Sequence, residues 1–151
     1  MSREAAERSF GRGKQCLSVG DALAALAYFE AALRLAGQAG KTAPPSYFSY
    51  YGLSLAYATG QIPDAVRACR RALKLEFYNA ELYLNLGKIY MLEGNRGAAF
   101  RTFRSGLTLE SDHPGICREI ERMGLRRRPP VPFLSRSNPV NRVLGLLAPR
   151  P

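Results

Sequence analysis

Residues 80–113, AELYLNLGKIYMLEGNRGAAFRTFRSGLTLESDH, decide the fold of this chain. Large and small side chains recur at spacings of three and four on both sides of Gly94-Asn95, which predicts two amphipathic helices joined by a tight turn. Such a hairpin cannot bury both apolar faces alone, so we expect neighbours of the same kind. The residues that form the two faces are Tyr83, Leu86, Gly87 and Tyr90, then Ala99, Phe103, Gly106 and Leu107.

Two more copies of this order lie upstream. The step from Ala65 to Ala99 is 34 residues, and the step from Ala25 to Ala65 is 40, because a linker rich in glycine and proline separates the first two copies. The matching residues are Tyr50, Leu53, Tyr57, Ala65, Ala72 and Leu73 in the second copy, and Gly13, Gly20, Ala25, Phe29, Ala32 and Leu33 in the first.

This period and this order of residues resemble the tetratricopeptide repeat. The resemblance implies an all-α fold, a right-handed superhelical solenoid of helix-turn-helix repeats, over residues 1–125. Within it we expect repeats at about 6–39, 46–79 and 80–113 and a capping helix at 114–124. Residues 126–151 form a basic, proline-rich tail outside the repeats.

Helix start and stop signals divide the repeats into seven helices. Ser2 and Asp21 are suitable N-caps, Pro63 and Pro114 belong in first helical turns, and the linker before residue 46 excludes helix. The predicted helices span about 2–18, 21–35, 46–58, 63–76, 80–93, 96–110 and 114–124.

The residues offer little for catalysis or metal binding. The only histidine, His113, is interpreted as a helix-end or loop residue, and no nucleophile or second base accompanies it. Cys16, Cys69 and Cys117 are far apart and are expected to be free thiols in a reducing compartment. We therefore expect no enzymatic activity, no cofactor and no metal site.

Six of the ten net positive charges lie after residue 125, where no acidic residue occurs. This tail has three open interpretations: a solvated terminus, a segment that docks on its own solenoid or on a partner, or a segment that binds nucleic acid or an anionic membrane surface. Pro139 to Leu147 are compatible with one short helix after Asn138. The candidate contact residues of the tail are Arg126, Arg127, Arg128, Phe133, Arg136 and Arg142.

The resemblance also implies that the first helices of the repeats line a concave groove. We expect the groove to bind a peptide segment or a partner protein, with Lys14 and Lys88 contacting acidic groups and aromatic side chains contacting apolar ones. An alternative is that the aromatic residues pack against the linker or the tail. The predicted groove residues are Phe10, Lys14, Leu17, Phe48, Tyr51, Leu55, Leu84, Asn85 and Lys88.

The most direct interpretation of the function is a non-enzymatic adaptor, and the alternative is association with nucleic acid or membrane through the tail. The N-terminus has no apolar run typical of a secretory signal, and the apolar run at 143–148 is too short to span a membrane. These features predict a cytoplasmic protein, and the Arg and Ala content suggests a bacterial one. The sequence leaves the oligomeric state open.

Overall fold

The computed structural model describes residues 2–38, 40 and 42–124. They form seven α-helices: α1 (Ser2–Ser18), α2 (Ala22–Gln38), α3 (Pro45–Thr59), α4 (Ile62–Leu75), α5 (Ala80–Leu92), α6 (Arg96–Leu109) and α7 (Pro114–Met123). The prediction of an all-α repeat solenoid is confirmed. The largest difference from the predicted helix ends is in α2, which continues to Gln38 because its last turn packs Ala36 against Tyr47 and Ala43.

The helices form two layers. Consecutive odd-numbered helices touch one another (α1 with α3, α3 with α5, α5 with α7). Each even-numbered helix packs on its own partner and on the next odd-numbered helix, and among the described residues α2, α4 and α6 do not touch one another. Contact in one layer and separation in the other curve the array, so the odd-numbered helices lie on its concave side.

Small residues let the paired helices approach closely. A Cβ atom added to Gly13 would lie 2.6 Å from Cε1 of Phe29, and Gly87 faces Phe103 in the same way. Both phenylalanine side chains are fully buried. Gly13 with Phe29 and Gly87 with Phe103, four residues of the repeat pattern, are therefore close contacts between the paired helices.

The register of α3 differs from the sequence match of Tyr50 and Tyr57 to Tyr83 and Tyr90. The backbone of α3 approaches α4 at Gly52, where an added Cβ would lie 2.7 Å from the carbonyl oxygen of Ala65. Tyr50 consequently points to the preceding repeat, with its ring centroid 5.6 Å from that of Phe29. Tyr57 is 45% exposed and is not the core residue that the match implied.

Polar side chains begin several of the helices. Asp21 accepts a hydrogen bond from the amide of Ala24 at 2.9 Å, as its predicted capping role requires, and Asn95 accepts one from the amide of Ala98 at 3.0 Å. Asn79 caps α5 through the amide of Glu81 at 3.1 Å. This last cap fixes the first turn of α5, which carries Glu81.

Candidate functional site

A line of polar contacts crosses the concave side from the first repeat to the capping helix. Lys14 of α1 lies 5.5 Å from the ring centroid of Tyr50 on α3. The Tyr50 hydroxyl donates a hydrogen bond of 2.6 Å to Oε1 of Glu81 on α5, and Oε2 of Glu81 lies 3.2 Å from Nε2 of His113. Each odd-numbered helix thus supplies one member, with His113 standing at the start of α7.

His113 is the N-cap of α7, which confirms its interpretation as a helix-end residue. Its Nδ1 accepts a hydrogen bond from the amide of Ile116 at 3.3 Å. An accepting Nδ1 places the proton of the neutral imidazole on Nε2, and Nε2 then donates to Glu81. His113 is only 8% exposed. Through its two ring nitrogens this buried side chain both caps α7 and joins it to α5.

The ring of Tyr50 lies in an aromatic cluster with Phe10, Phe29 and Tyr47. Phe10 is stacked on Tyr47 at 4.4 Å between centroids and meets Tyr50 edge-on at 5.4 Å. Burial, the hydrogen bond to Glu81 and the charge of Glu81 all raise the pKa of Tyr50 well above its ordinary value. The hydroxyl therefore stays protonated and remains a donor to the carboxylate.

A cleft of about 570 Å³ opens beside this line, between α5 and α7. Lys88, Arg118 and Arg122 supply its basic groups, and Leu84 and Pro114 supply apolar surface. Two of its three acidic groups already have partners: Glu119 pairs with Arg122 at 3.2 Å, and Glu81 bonds to Tyr50 and His113. Within the described part of the chain, Lys88 and Arg118 have no carboxylate at ion-pair distance.

The structure divides the predicted groove residues into several environments. Lys14 and Lys88 lie on the concave side, and Lys88 lines the cleft. Leu55, Leu84 and Asn85 are instead buried, at 7%, 4% and 1% exposed. Asn85 is a core residue because its amide donates a hydrogen bond to the hydroxyl of Ser49 at 3.1 Å, which compensates the cost of its burial.

Phe48 and Tyr51 lie together but away from the concave side. They line a cleft of about 450 Å³ between α2, α3 and α4, where the Arg71 guanidinium stands 4.3 Å from the Phe48 ring centroid. Phe10 and Leu17 are half-buried and pack against two different core clusters, Phe10 against the one that includes Ala6 and Leu17 against the one that includes Leu53. The nine predicted residues therefore do not form one continuous surface.

Sequence reasoning missed Tyr50, Glu81, His113, Arg118 and Arg122. A signal for two of them was present, because Arg118 and Arg122 lie 34 residues after Leu84 and Lys88. Applying the repeat step to the capping helix would have placed both arginines beside the groove. The predicted tail contacts, namely Arg126, Arg127, Arg128, Phe133, Arg136 and Arg142, lie outside the described residues.

Comparison with known proteins matches residues 80–113 to the family described as "Tetratricopeptide repeat". Residues 80–113 are a tetratricopeptide repeat. The three-dimensional arrangement is similar to the tetratricopeptide domain of OM64 from Arabidopsis, with a TM-score of 0.64, 19% sequence identity, and coverage of 82% of this chain and 97% of that chain. A comparison of the sequence with curated proteins finds no match.

The tetratricopeptide match confirms the resemblance seen in the sequence, and the structural match confirms the fold. Tetratricopeptide repeats generally mediate protein–protein interactions and are typically not enzymes, and solenoids of this kind present an extended concave surface for binding. Among the described helices, none is long and apolar enough to cross a lipid bilayer.

Proposed function

We propose that this tetratricopeptide solenoid is a non-enzymatic adaptor that binds an acidic peptide segment of a partner protein on its concave side. The observation that carries the proposal is the cleft between α5 and α7, with Lys88 and Arg118 at its wall and no carboxylate paired to either among the described residues. A ligand carboxylate placed there gains charge-assisted hydrogen bonds without breaking an existing ion pair.

Three acidic and three basic groups line the cleft, so the proposal depends on their positions and not on an excess of positive charge. Glu81 receives hydrogen bonds from Tyr50 and His113, and Glu119 is held by Arg122. Glu81 keeps its charge, because its two donors are neutral, and Glu110 also lines the cleft. Lys88 and Arg118 can each meet a ligand carboxylate without giving up an ion pair, and the exposed Pro114 offers apolar contact beside them.

Lys14 extends the basic character of the concave side beyond the cleft. It is exposed on α1, at the far end of the polar line that begins at His113. A peptide that spans from α7 to α1 would meet Arg118 first, then Lys88, and Lys14 last, with Tyr50 between the two lysines. Peptide complexes of this kind are commonly micromolar, about −8 kcal/mol.

The proposal is tested with fluorescein-labelled peptides of graded Asp and Glu content and by affinity capture from a native lysate at physiological salt. Lys88→Glu and Arg118→Glu should each weaken binding of the acidic peptides about tenfold. Arg104→Glu is the matched control, since it makes the same charge reversal on an exposed position of α6. Equal peptide binding and equal capture by all three variants would show that the cleft does not take part in binding.

The second candidate function is association of the tail with nucleic acid or an anionic membrane surface. It is supported by the six arginines that follow residue 125, with no acid among them. Such binding falls steeply with salt because counterions are released. Retention of nucleic acid or anionic vesicles by the full chain in low salt, with loss at physiological salt, would support it, whereas salt-insensitive binding would contradict it.

A further inference from the structure

The cleft of about 450 Å³ between α2, α3 and α4 opens away from the concave side, and we call it the convex cleft. It lies where α2 and α4, in the described part of the chain, do not touch one another. Its apolar surface comes from Phe48 and Tyr51 of α3 and from Leu33 of α2. The acidic-peptide function proposed above uses none of these three side chains.

The corresponding place between the second and third repeats is closed. Counted from the close-approach glycines Gly52 and Gly87, Tyr51 corresponds to Leu86, which is only 5% exposed and belongs to the core. Tyr51 itself is half-buried, as is Phe48. The first junction therefore leaves two aromatic side chains accessible where the second junction buries an aliphatic one.

Basic side chains follow the α4 edge of the convex cleft. Every exposed charged residue of α4 is basic, and Arg67, Arg71 and Lys74 lie on one stripe at spacings of four and three. Arg67 is paired with Asp64, but within residues 2–124 neither Arg71 nor Lys74 has a carboxylate at ion-pair distance. Among the described residues that line the cleft, Glu30 is the only acidic one. This edge therefore attracts anions.

Arg71 also stacks on the aromatic floor. Its guanidinium carbon Cζ lies over the Phe48 ring, 4.3 Å from the centroid, while the residue as a whole remains exposed. A guanidinium in this position offers a flat surface on which a base can stack and N–H donors for a phosphate.

We propose that the convex cleft binds single-stranded nucleic acid. Its bases stack on Tyr51 and on the Arg71–Phe48 pair, and its phosphates contact Arg71 and Lys74 along α4. Flat π surfaces beside a row of cations suit a single strand, because every unpaired base has a face to stack. An acidic peptide needs only the cations, and a duplex keeps its bases paired and stacked, so neither uses the whole surface.

This site is separate from the cleft between α5 and α7 and from the tail. Its residues belong to α2, α3 and α4, whereas Lys88 and Arg118 belong to α5 and α7. The six arginines after residue 125 remain in every variant of the full chain, so differences between variants report on the convex cleft alone. Failure of the acidic-peptide function would leave this proposal intact.

The charge contribution is measured by fluorescence anisotropy of a labelled polyuridine of about twelve nucleotides with the full chain at several salt concentrations. Arg71→Gln combined with Lys74→Gln should weaken binding at least about tenfold. It should also lower the slope of log K against log salt by about 1.4, since each lost phosphate contact removes about 0.7. Arg8→Gln combined with Arg12→Gln is the matched control, because it removes the same charge from exposed positions of α1 and should change the affinity less than about twofold.

The stacking contribution is measured with Tyr51→Leu, which introduces the residue that the third repeat carries at the corresponding position. This variant should bind the polyuridine about fivefold more weakly or worse, whereas it should bind acidic peptides as the wild type does. Tyr78→Leu is the control, since Tyr78 is 65% exposed and lies outside the convex cleft. Ultraviolet crosslinking followed by mass spectrometry should place a nucleotide on Tyr51 or Phe48.

Equal affinities of the wild type and Tyr51→Leu, with crosslinks only after residue 125, would overturn the proposal and assign the binding to the tail. Displacement of the labelled strand by polyglutamate as effectively as by unlabelled polyuridine of equal charge would also overturn it, because the site would then recognise charge alone. Circular dichroism at 222 nm establishes that each variant keeps its helices.

Discussion

The hydroxyl of Tyr50 donates a hydrogen bond of 2.6 Å to Glu81 across 31 residues of sequence, and this bond joins the second repeat to the third on the concave side. The same carboxylate holds His113 through its other oxygen, 3.2 Å away. Glu81 therefore connects its own helix to the helices on both sides, and its position is fixed from both directions.

Tyr50→Phe should lower the free energy of unfolding by about 1–2 kcal/mol, because it removes a hydrogen bond to a charged, half-buried carboxylate while keeping the ring. Urea-induced unfolding followed by circular dichroism at 222 nm measures the change. Tyr78→Phe provides the control, since Tyr78 is 65% exposed and its substitution should change the free energy of unfolding little. Equal effects of the two substitutions would show that the bond to Glu81 adds nothing to stability.

Glycine-to-alanine substitutions should have opposite effects at two positions within helices. At Gly87 the added methyl group collides with the ring of Phe103, so Gly87→Ala should destabilise the fold by about 1–3 kcal/mol. At Gly11 no atom lies within 4 Å, so Gly11→Ala should stabilise α1 by about 0.5–1 kcal/mol. Thermal unfolding of both variants compares them, and destabilisation by Gly11→Ala would contradict the described packing of α1.

Alanine substitutions of two buried serines of α3 should also have different effects on the free energy of unfolding. Ser49 accepts a hydrogen bond from Asn85 at 3.1 Å, so Ser49→Ala leaves that buried amide without its partner and should cost about 1–3 kcal/mol. The hydroxyl of Ser54 is buried without a hydrogen-bond partner in the described structure, so Ser54→Ala should be neutral or stabilising by up to about 1 kcal/mol. Denaturant titration of both variants measures the change in the free energy of unfolding. Equal losses of stability in the two variants would argue against the hydrogen bond between Ser49 and Asn85.

The stability of the protein should fall in alkaline solution through Cys69. Burial raises the pKa of its thiol from 9.0 to about 12, and the hydrogen bond between Cys69 and Ser49 acts in the opposite direction. The folded protein therefore keeps this proton while the unfolded chain loses it. The stabilisation is complete below pH 9 and is lost as the pH rises from 9 towards 12.

Between pH 8 and pH 9.5 this loss should amount to about 1 kcal/mol, measured as the change in the free energy of unfolding in urea. Cys69→Ala removes the titrating group and should flatten the dependence in this window, although its overall stability is lower because a buried side chain has been shortened. The same slope in the wild type and in Cys69→Ala would exclude Cys69 as the cause.

The fold was accessible from the sequence because its decisive contacts recur with the repeat. Ala25, Ala65 and Ala99 are all fully buried, and each lies in the first turn of its helix, where the chain has just reversed direction. Asp21 and Asn95 mark two of those reversals by their capping chemistry. Local signals of this kind depend on near neighbours in the chain and are visible without a structure.

The candidate site was less accessible because its contacts join distant residues. Nothing near His113 in the sequence indicates Glu81, and nothing near Asn85 indicates Ser49. The shift of α3 had the largest effect, since it moved Phe48 and Tyr51 away from the concave side and brought Tyr50 onto it. A helix rotates by about 100° per residue, so a small error in register redirects every side chain on it.

The buried pair of Ser49 and Asn85 also restricts how the repeats can be rearranged. Apolar helix faces tolerate sliding, because one aliphatic contact resembles the next. A buried amide and hydroxyl do not, since any displacement of α5 along α3 would strand both groups without water. Duplication, deletion or exchange of repeats at this junction therefore has to preserve one donor–acceptor match, and the junction selects its neighbour by chemistry as well as by shape.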